Sequence, residues 1–305
     1  SHSAAQLRDY SNQGRDAMGR AGSGEPVPVL YSLEPADNLN KCVCSNCTAV
    51  AATYGAYAGL VLEFVNATAD AIAAEYPDVR LTIGAYTFYA EAPTGIRPRD
   101  NVLLCIAQLG AEWRALPQRD TLRSMEHPLN AAARAMWEDW SAIGTALMVH
   151  DYWTPWLEPY QWPRANIRGL AQTLRFYHRC GLRYFFVEAP VAGTRLGNFA
   201  DLQFYLAASL LRDPLQDALP IIDAFLRGYY GPAAPAMEKL LEYIETRQDE
   251  ERAILVTIPP AWRAYFDAPF FVEADALLNE AEQRVAHDPA LLARVRQERL
   301  PFDET

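Results

Sequence analysis

The chain has 305 residues, half of them apolar, which is enough for one large domain, or one and a half ordinary ones, with a substantial core. Its formal charge of -11 and pI near 5.0 argue against nucleic acid or an anionic membrane as a partner, because both attract basic surfaces. Neutral ligands stay open, and no run of 18 apolar residues is present to span a membrane.

The opening Ser-His-Ser has neither an initiator Met nor an apolar signal segment, so either a leader has been removed or the chain is a fragment. Ser3 to about Arg20 has helical spacing and ends in the breaker "AGSGEP". "VPVLYSL" reads as a buried strand at about 28–33. It is followed by Glu34, Asp37 and the cysteines of "CVCSNC". The Ala- and Leu-rich stretch from about Ala49 to Glu75 predicts one long helix stopping at "YPD". Strands are expected at about 80–87 ("VRLTIGAYTF") and 101–107 ("NVLLCIAQL"). A helix around "NAAARAMWEDWSAI" leads to a strand at 145–151, which ends in "HDYW". The helix "ANIRGLAQTLRFYHRC" is closed by Gly181, a favoured residue just past a helix end, and a strand at 183–188 ends in Glu188. From Phe199 onward the pattern is helical throughout, and "ETRQDEER" reads as a solvated helix face.

Strands alternating with amphipathic helices imply parallel βαβ units, hence an α/β fold. Four of the five strands end in, or lead quickly to, residues with catalytic or sugar-binding potential: Glu34 and Asp37, Tyr86 and Tyr89, Asp151 and Tyr152, and Glu188. That asymmetry fits a (β/α)8 TIM-type barrel, whose chemistry sits at the C-terminal ends of its strands. An open doubly wound sheet fits less well, since no G-x-G-x-x-G loop follows any strand. A closed barrel needs eight strands, so the expectation is a partial barrel made of its last five βα units. Residues 1–198 would carry this barrel portion and its site, and 199–305 a helical region packed on it.

Carboxylates at the ends of different strands can converge on one pocket, as glycoside hydrolysis requires: one protonates the leaving oxygen, another acts as nucleophile or base. Glu188 follows "YFFV" and suits a strand mouth, or a salt bridge. Glu34 and Asp37 share one loop, where either could instead be a turn or capping residue. The aromatic cluster "VHDYWTPWLEPYQW", which includes Trp153, suits sugar rings that stack on aromatic faces, or simply fills a core edge. Cys42, Cys44 and Cys47 form C-x-C-x-x-C, one thiolate short of a closed zinc site; a structural metal, a disulfide and plain thiols all fit, and no metal is assigned. His127, His150 and His178 read as structural. No H-E-x-x-H, serine-hydrolase elbow or cofactor motif occurs, so no cofactor is expected.

Taken in order, "LEPADN…CVCSNC", "YPDVRLTIGAYTFYAEAP", "RPRDNVLL", "HDYWTPW…WPRANIRGLAQTLRFYHRCGLRYFFVEA" and "LQFYLAASLLRDP…FLRGYYGPAAPAM" resemble a bacterial family labelled a domain of unknown function. The likeness runs from about Val27 to Glu242. Members of that family look like α-glucuronidases in architecture, and some act as endo-β-N-acetylglucosaminidases on complex N-glycans. The resemblance implies a secreted or periplasmic glycoside hydrolase on a (β/α)8 barrel, normally preceded by a smaller α/β domain, with a carbohydrate as partner. It supports Glu34 or Asp37 and Glu188 as site residues, and Tyr86, Asp151, Tyr152 and Trp153 as substrate contacts. Retaining, inverting and substrate-assisted routes all stay open, the last with Asp37 orienting a 2-acetamido group and Glu34 protonating the leaving oxygen.

Overall fold

The computed structural model describes residues 30–35, 38–107, 119–144, 146–153, 162–188, 197–252 and 263–303. The expected helix over Ser3 to Arg20 and the candidate residue Asp37 lie outside them. Among the described residues five strands make one sheet: β1 (Leu30–Ser32), β2 (Arg80–Ala85), β3 (Val102–Ala107), β4 (Leu147–Tyr152) and β5 (Leu182–Glu188). All neighbours are parallel and the spatial order is β1-β2-β3-β4-β5.

That order decides between the two α/β architectures. A doubly wound sheet reverses direction at a switch point, so its strand order is not sequential. Here each crossover steps to the next strand in the same direction. Right-handed crossovers then lay every helix on one face and leave the other face as the inside of a curl. The result is a curled half-barrel, consistent with a partial α/β barrel. β3 is buried along its whole length and β2 from its second residue on, which is why both read as unbroken apolar runs.

Four helices accompany the strands among the described residues: α1 (Ser45–Thr53), α2 (Tyr57–Ile72), α3 (Ala131–Ala142) and α4 (Arg168–Arg179). The long helix expected over Ala49 to Glu75 is two helices. It begins inside the cysteine motif, and a turn at Gly55 bends it by 95°. No single helix among the described residues is long and apolar enough to cross a membrane. Gly181, at φ +86°, follows α4 as its spacing predicts.

Five further helices follow: α5 (Ala200–Arg212), α6 (Ala218–Tyr230), α7 (Ala234–Glu250), α8 (Ala268–Arg284) and α9 (Pro289–Asp303). They share one hydrophobic core with the sheet, running from Ala58 through Trp137 and Trp162 to Val295. Each large apolar side chain buried there contributes about 1.5–3 kcal/mol. Polar contacts stitch the same boundary. The Gln248 side chain donates to Ala165 O at 2.7 Å and accepts from Ala165 N at 2.8 Å, while Glu245 Oε1 accepts from the backbone N–H groups of Ile167 and Arg168 at the start of α4. Arg123 donates to the backbone oxygens of Gln248 and Glu251 at the end of α7.

A buried carboxyl anchors the start of α5. Phe199 has a left-handed backbone (φ +60°), costing about 1–2 kcal/mol for a residue with a side chain. Its N–H donates to Glu298 Oε2 at 2.7 Å, and Tyr230 donates its hydroxyl to Glu298 Oε1 at 2.8 Å. Burial raises Glu298 above the ordinary carboxylate range, and the two donors offset this only in part. A raised folded-state value means stability fully present below the unfolded pKa of about 4.3 and lost as pH climbs through the folded value. Glu298→Gln, which cannot ionise, is therefore expected to gain thermal stability relative to the parent as pH rises from about 5 to 8. Melting curves across that range check it; a difference independent of pH would show that the Glu298 carboxyl is not raised above the ordinary range in the folded chain.

Candidate active site on the concave face

Alternation sends every second residue of a strand to one face, and the parallel register carries that face across the sheet. Leu81, Ile83 and Ala85, then Leu104 and Ile106, then Leu147 and Val149 face the helices and are buried. The intervening residues form tiers on the concave face. Gly84, Cys105, Met148 and Tyr184 are in register, followed by Ala107, His150 and Phe186, and then Tyr152 and Glu188. Tyr184 and Phe186 are half exposed there, whereas Phe185 and Val187 pack on the core.

Two sequence-identified carboxylates reach this face. Glu188 ends β5, and its Oε1 lies 2.6 Å from His150 Nε2 on β4. Both side chains keep about a quarter of their surface open, 29% for His150 and 23% for Glu188. The imidazole is fixed from two sides: it stacks on Tyr152 at 4.8 Å and meets the Phe186 ring edge-on at 4.6 Å. Such a carboxyl–imidazole pair can hold or pass a proton at Glu188 Oε1, the task of a general acid or base.

Glu34, two residues past β1, lies over Gly84. A Cβ at residue 84 would sit 3.3 Å from Glu34 Cδ and 3.4 Å from Tyr89 Cε2, a close fit in which a side chain larger than glycine presses on the carboxylate. Burial pushes the neighbouring Cys105 thiol up to about 12, and the charge of Glu34 adds to the shift. We expect Gly84→Val to cost about 1–3 kcal/mol through overpacking and to displace Glu34. Denaturant midpoints check this, and an unchanged midpoint would place Glu34 elsewhere.

The remaining candidates divide by face. Tyr86 and Tyr152 continue the concave alternation, and Tyr89, nearly buried, leans on Gly84. Asp151 and Trp153 lie on the helix side. Asp151 is fully buried, paired with Arg119 at 2.5 and 3.2 Å and reached by the Tyr177 hydroxyl of α4 at 3.4 Å. Burial alone would pull the Arg119 guanidinium down, but the Asp151 carboxylate outweighs it and raises it. Trp153 packs on Phe185 and on Phe204 of α5. Neither side chain shares a face with Glu34 and Glu188.

His150, Tyr184 and Phe186 are absent from the site residues expected from sequence. A signal for them exists: in "HDYW" and "RYFFVE", the residues two apart from Tyr152 and Glu188 must share their face. Cys42, Cys44 and Cys47 come together where the chain enters α1, with Cys47 in its first turn. Hydrogen bonds from the Cys47 backbone and the other two thiols lower Cys44 to about 7, and contacts with the Cys42 and Cys44 thiols raise Cys47 to about 11.

No curated protein matches the chain significantly. A solved structure similar to it is a GH138 enzyme targeting pectin rhamnogalacturonan II, with a TM-score of 0.40 and 10% identity over 80% of this chain and 50% of that one. The chain thus spans about half the length of that enzyme. Residues 23–242, most of the chain and every strand described above, match the family designated DUF4838, a domain of unknown function, and the chain belongs to that family.

Proposed function

We propose that the concave face is the active site of a glycoside hydrolase that cleaves a β-linked sugar or amino sugar in complex glycans by carboxylate acid/base catalysis. The observation that carries the reading is the arrival of Glu34 and Glu188 on one face from the C-terminal ends of different strands, with Tyr86, Tyr152, Tyr184 and Phe186 beside them. Aromatic faces take the C–H side of a sugar ring, and the carboxylates take its hydroxyls and its glycosidic oxygen. Glu188, coupled to His150, is assigned the acid/base role, and Glu34 that of the second carboxylate. Asp37 is kept for the substrate-assisted route. A carboxyl separation of about 5–5.5 Å in the substrate complex would give retention, and about 6.5–9.5 Å inversion. The same reading places the protein outside the cytoplasm, secreted or periplasmic, with no cofactor.

One feature favours a second reading, a carbohydrate-binding module without turnover: the strands among the described residues form a half-barrel, and β5 presents half-exposed aromatic rings. Mass spectrometry of glycans released from a complex N-glycosylated glycoprotein separates the two. Release by the parent chain, lost in Glu188→Gln, supports the hydrolase. Glycan binding by the parent without any release would reject it in favour of the binding module.

A further inference from the structure

We propose that Cys42, Cys44 and Cys47 form a binding site for a thiophilic divalent cation, Zn2+ with its fourth position left to water, and that the bound ion clips the Glu34 loop to the start of α1. The three sulfurs lie within 4.8 Å of one another, and none of them is in a disulfide. Their convergence follows from spacing. Cys44 is the N-cap of α1 and Cys47 its third residue, the two positions whose side chains face each other in a capping box. Cys42 precedes the cap by two residues, close enough in the chain for its sulfur to reach the other two.

The surroundings hold this arrangement. The Tyr57 hydroxyl, at the start of α2, donates to Cys42 O at 3.4 Å, and Lys41 lies over the Tyr57 ring at 4.2 Å. Thr48 donates its hydroxyl to Cys44 O at 2.9 Å. At the helix N-terminus the Cys47 backbone N–H and the positive dipole end favour the thiolate at Cys44.

Distances choose the occupant. Tetrahedral zinc with Zn–S bonds of about 2.3 Å holds its sulfurs about 3.8 Å apart, so the present cluster needs to contract by about 1 Å at most. A disulfide needs about 2.05 Å between two sulfurs and leaves the third unpaired. With Cys42 and Cys44 exposed and Cys47 half-buried, the loop can contract without disturbing the core. Binding releases the thiol protons to solvent, and no electron is transferred. The three thiols supply no group to the proposed chemistry, and Tyr57, which holds Cys42, meets Phe88 at 6.0 Å, whose ring meets Tyr89 at 5.0 Å.

The test titrates the full, reduced chain with Zn2+ against a chromophoric chelator, and with Co2+ followed by thiolate-to-metal charge-transfer absorption. One ion per chain is expected, with affinity falling at least tenfold in each of Cys42→Ser, Cys44→Ser and Cys47→Ser and unchanged in Cys180→Ser, whose thiol is buried just past the end of α4. The exposed serine variants leave the core intact, and matching circular dichroism spectra confirm it. Absence of stoichiometric binding, binding that survives the triple serine variant, or a disulfide among the three that re-forms in the presence of excess Zn2+ would each overturn the proposal.

Discussion

Arg119→Ala is expected to lower the free energy of unfolding by about 3–5 kcal/mol, the cost of leaving one partner of a buried ion pair unpaired. The side chains of Arg119 and Asp151 are 3% and 0% exposed and joined by two hydrogen bonds, so the guanidinium cannot be replaced by water from outside. After truncation, Asp151 keeps, among the described residues, the backbone N–H of Tyr152 and the Tyr177 hydroxyl. A charge in that position at the end of β4 would either protonate or open the layer between the sheet and α4. The double variant Arg119→Met/Asp151→Asn removes both charges and should recover most of the loss, since buried pairs exchanged for neutral groups of similar shape are often close to neutral. On the hydrolase reading it should also keep glycan cleavage, because Asp151 faces the helices. Urea unfolding monitored by tryptophan fluorescence reads the first effect. A loss below about 1 kcal/mol, the scale of a surface pair, would mean that the pair is solvated.

The second large effect is expected at Glu188, as a rate. Glu188→Gln keeps the shape of the side chain and a hydrogen-bonding contact with His150 but removes the transferable proton. On the hydrolase reading it should lower kcat by about 10²–10⁴-fold, the usual worth of a positioned acid or base, with KM little changed. Its stability should stay near the parent's, since the side chain is partly open to water. Initial rates on a defined glycopeptide check this; a variant retaining more than about a tenth of the parent rate, well above what loss of a positioned acid leaves, would move the acid/base role away from β5.

Sequence patterns locate the five strands to within about two or three residues, most sharply at β2 and β3, whose buried apolar runs begin and end abruptly. The five strands lie at Leu30–Ser32, Arg80–Ala85, Val102–Ala107, Leu147–Tyr152 and Leu182–Glu188. The long helix is misread for a physical reason: apolar spacing continues through Gly55, so periodicity carries no mark of a 95° turn. Its start is hidden because Cys44 caps α1 without a side-chain hydrogen bond, leaving no Ser, Thr or Asp as a signature. At the site, residue type misleads where spacing would serve. Asp151 and Trp153 attract notice as sugar ligands, yet the period-two rule sends Asp151 to the face opposite His150 and Tyr152. Arg119, 32 residues from its partner, follows no local pattern and becomes visible only in three dimensions.

The bonds tying α7 to the start of α4 bear on how the molecule comes apart. Gln248, Glu245 and Arg123 each satisfy backbone groups on the other side of the stretch around residue 198, and a shared core runs beneath them. Separating the helical region from the half-barrel would expose apolar surface and leave helix-end N–H groups without acceptors at the same moment. Loss of either part therefore removes support from the other, and the two unfold as one cooperative unit rather than as beads on a string. A carboxylate at the tip of β5 then inherits its rigidity from helices beyond its own strand.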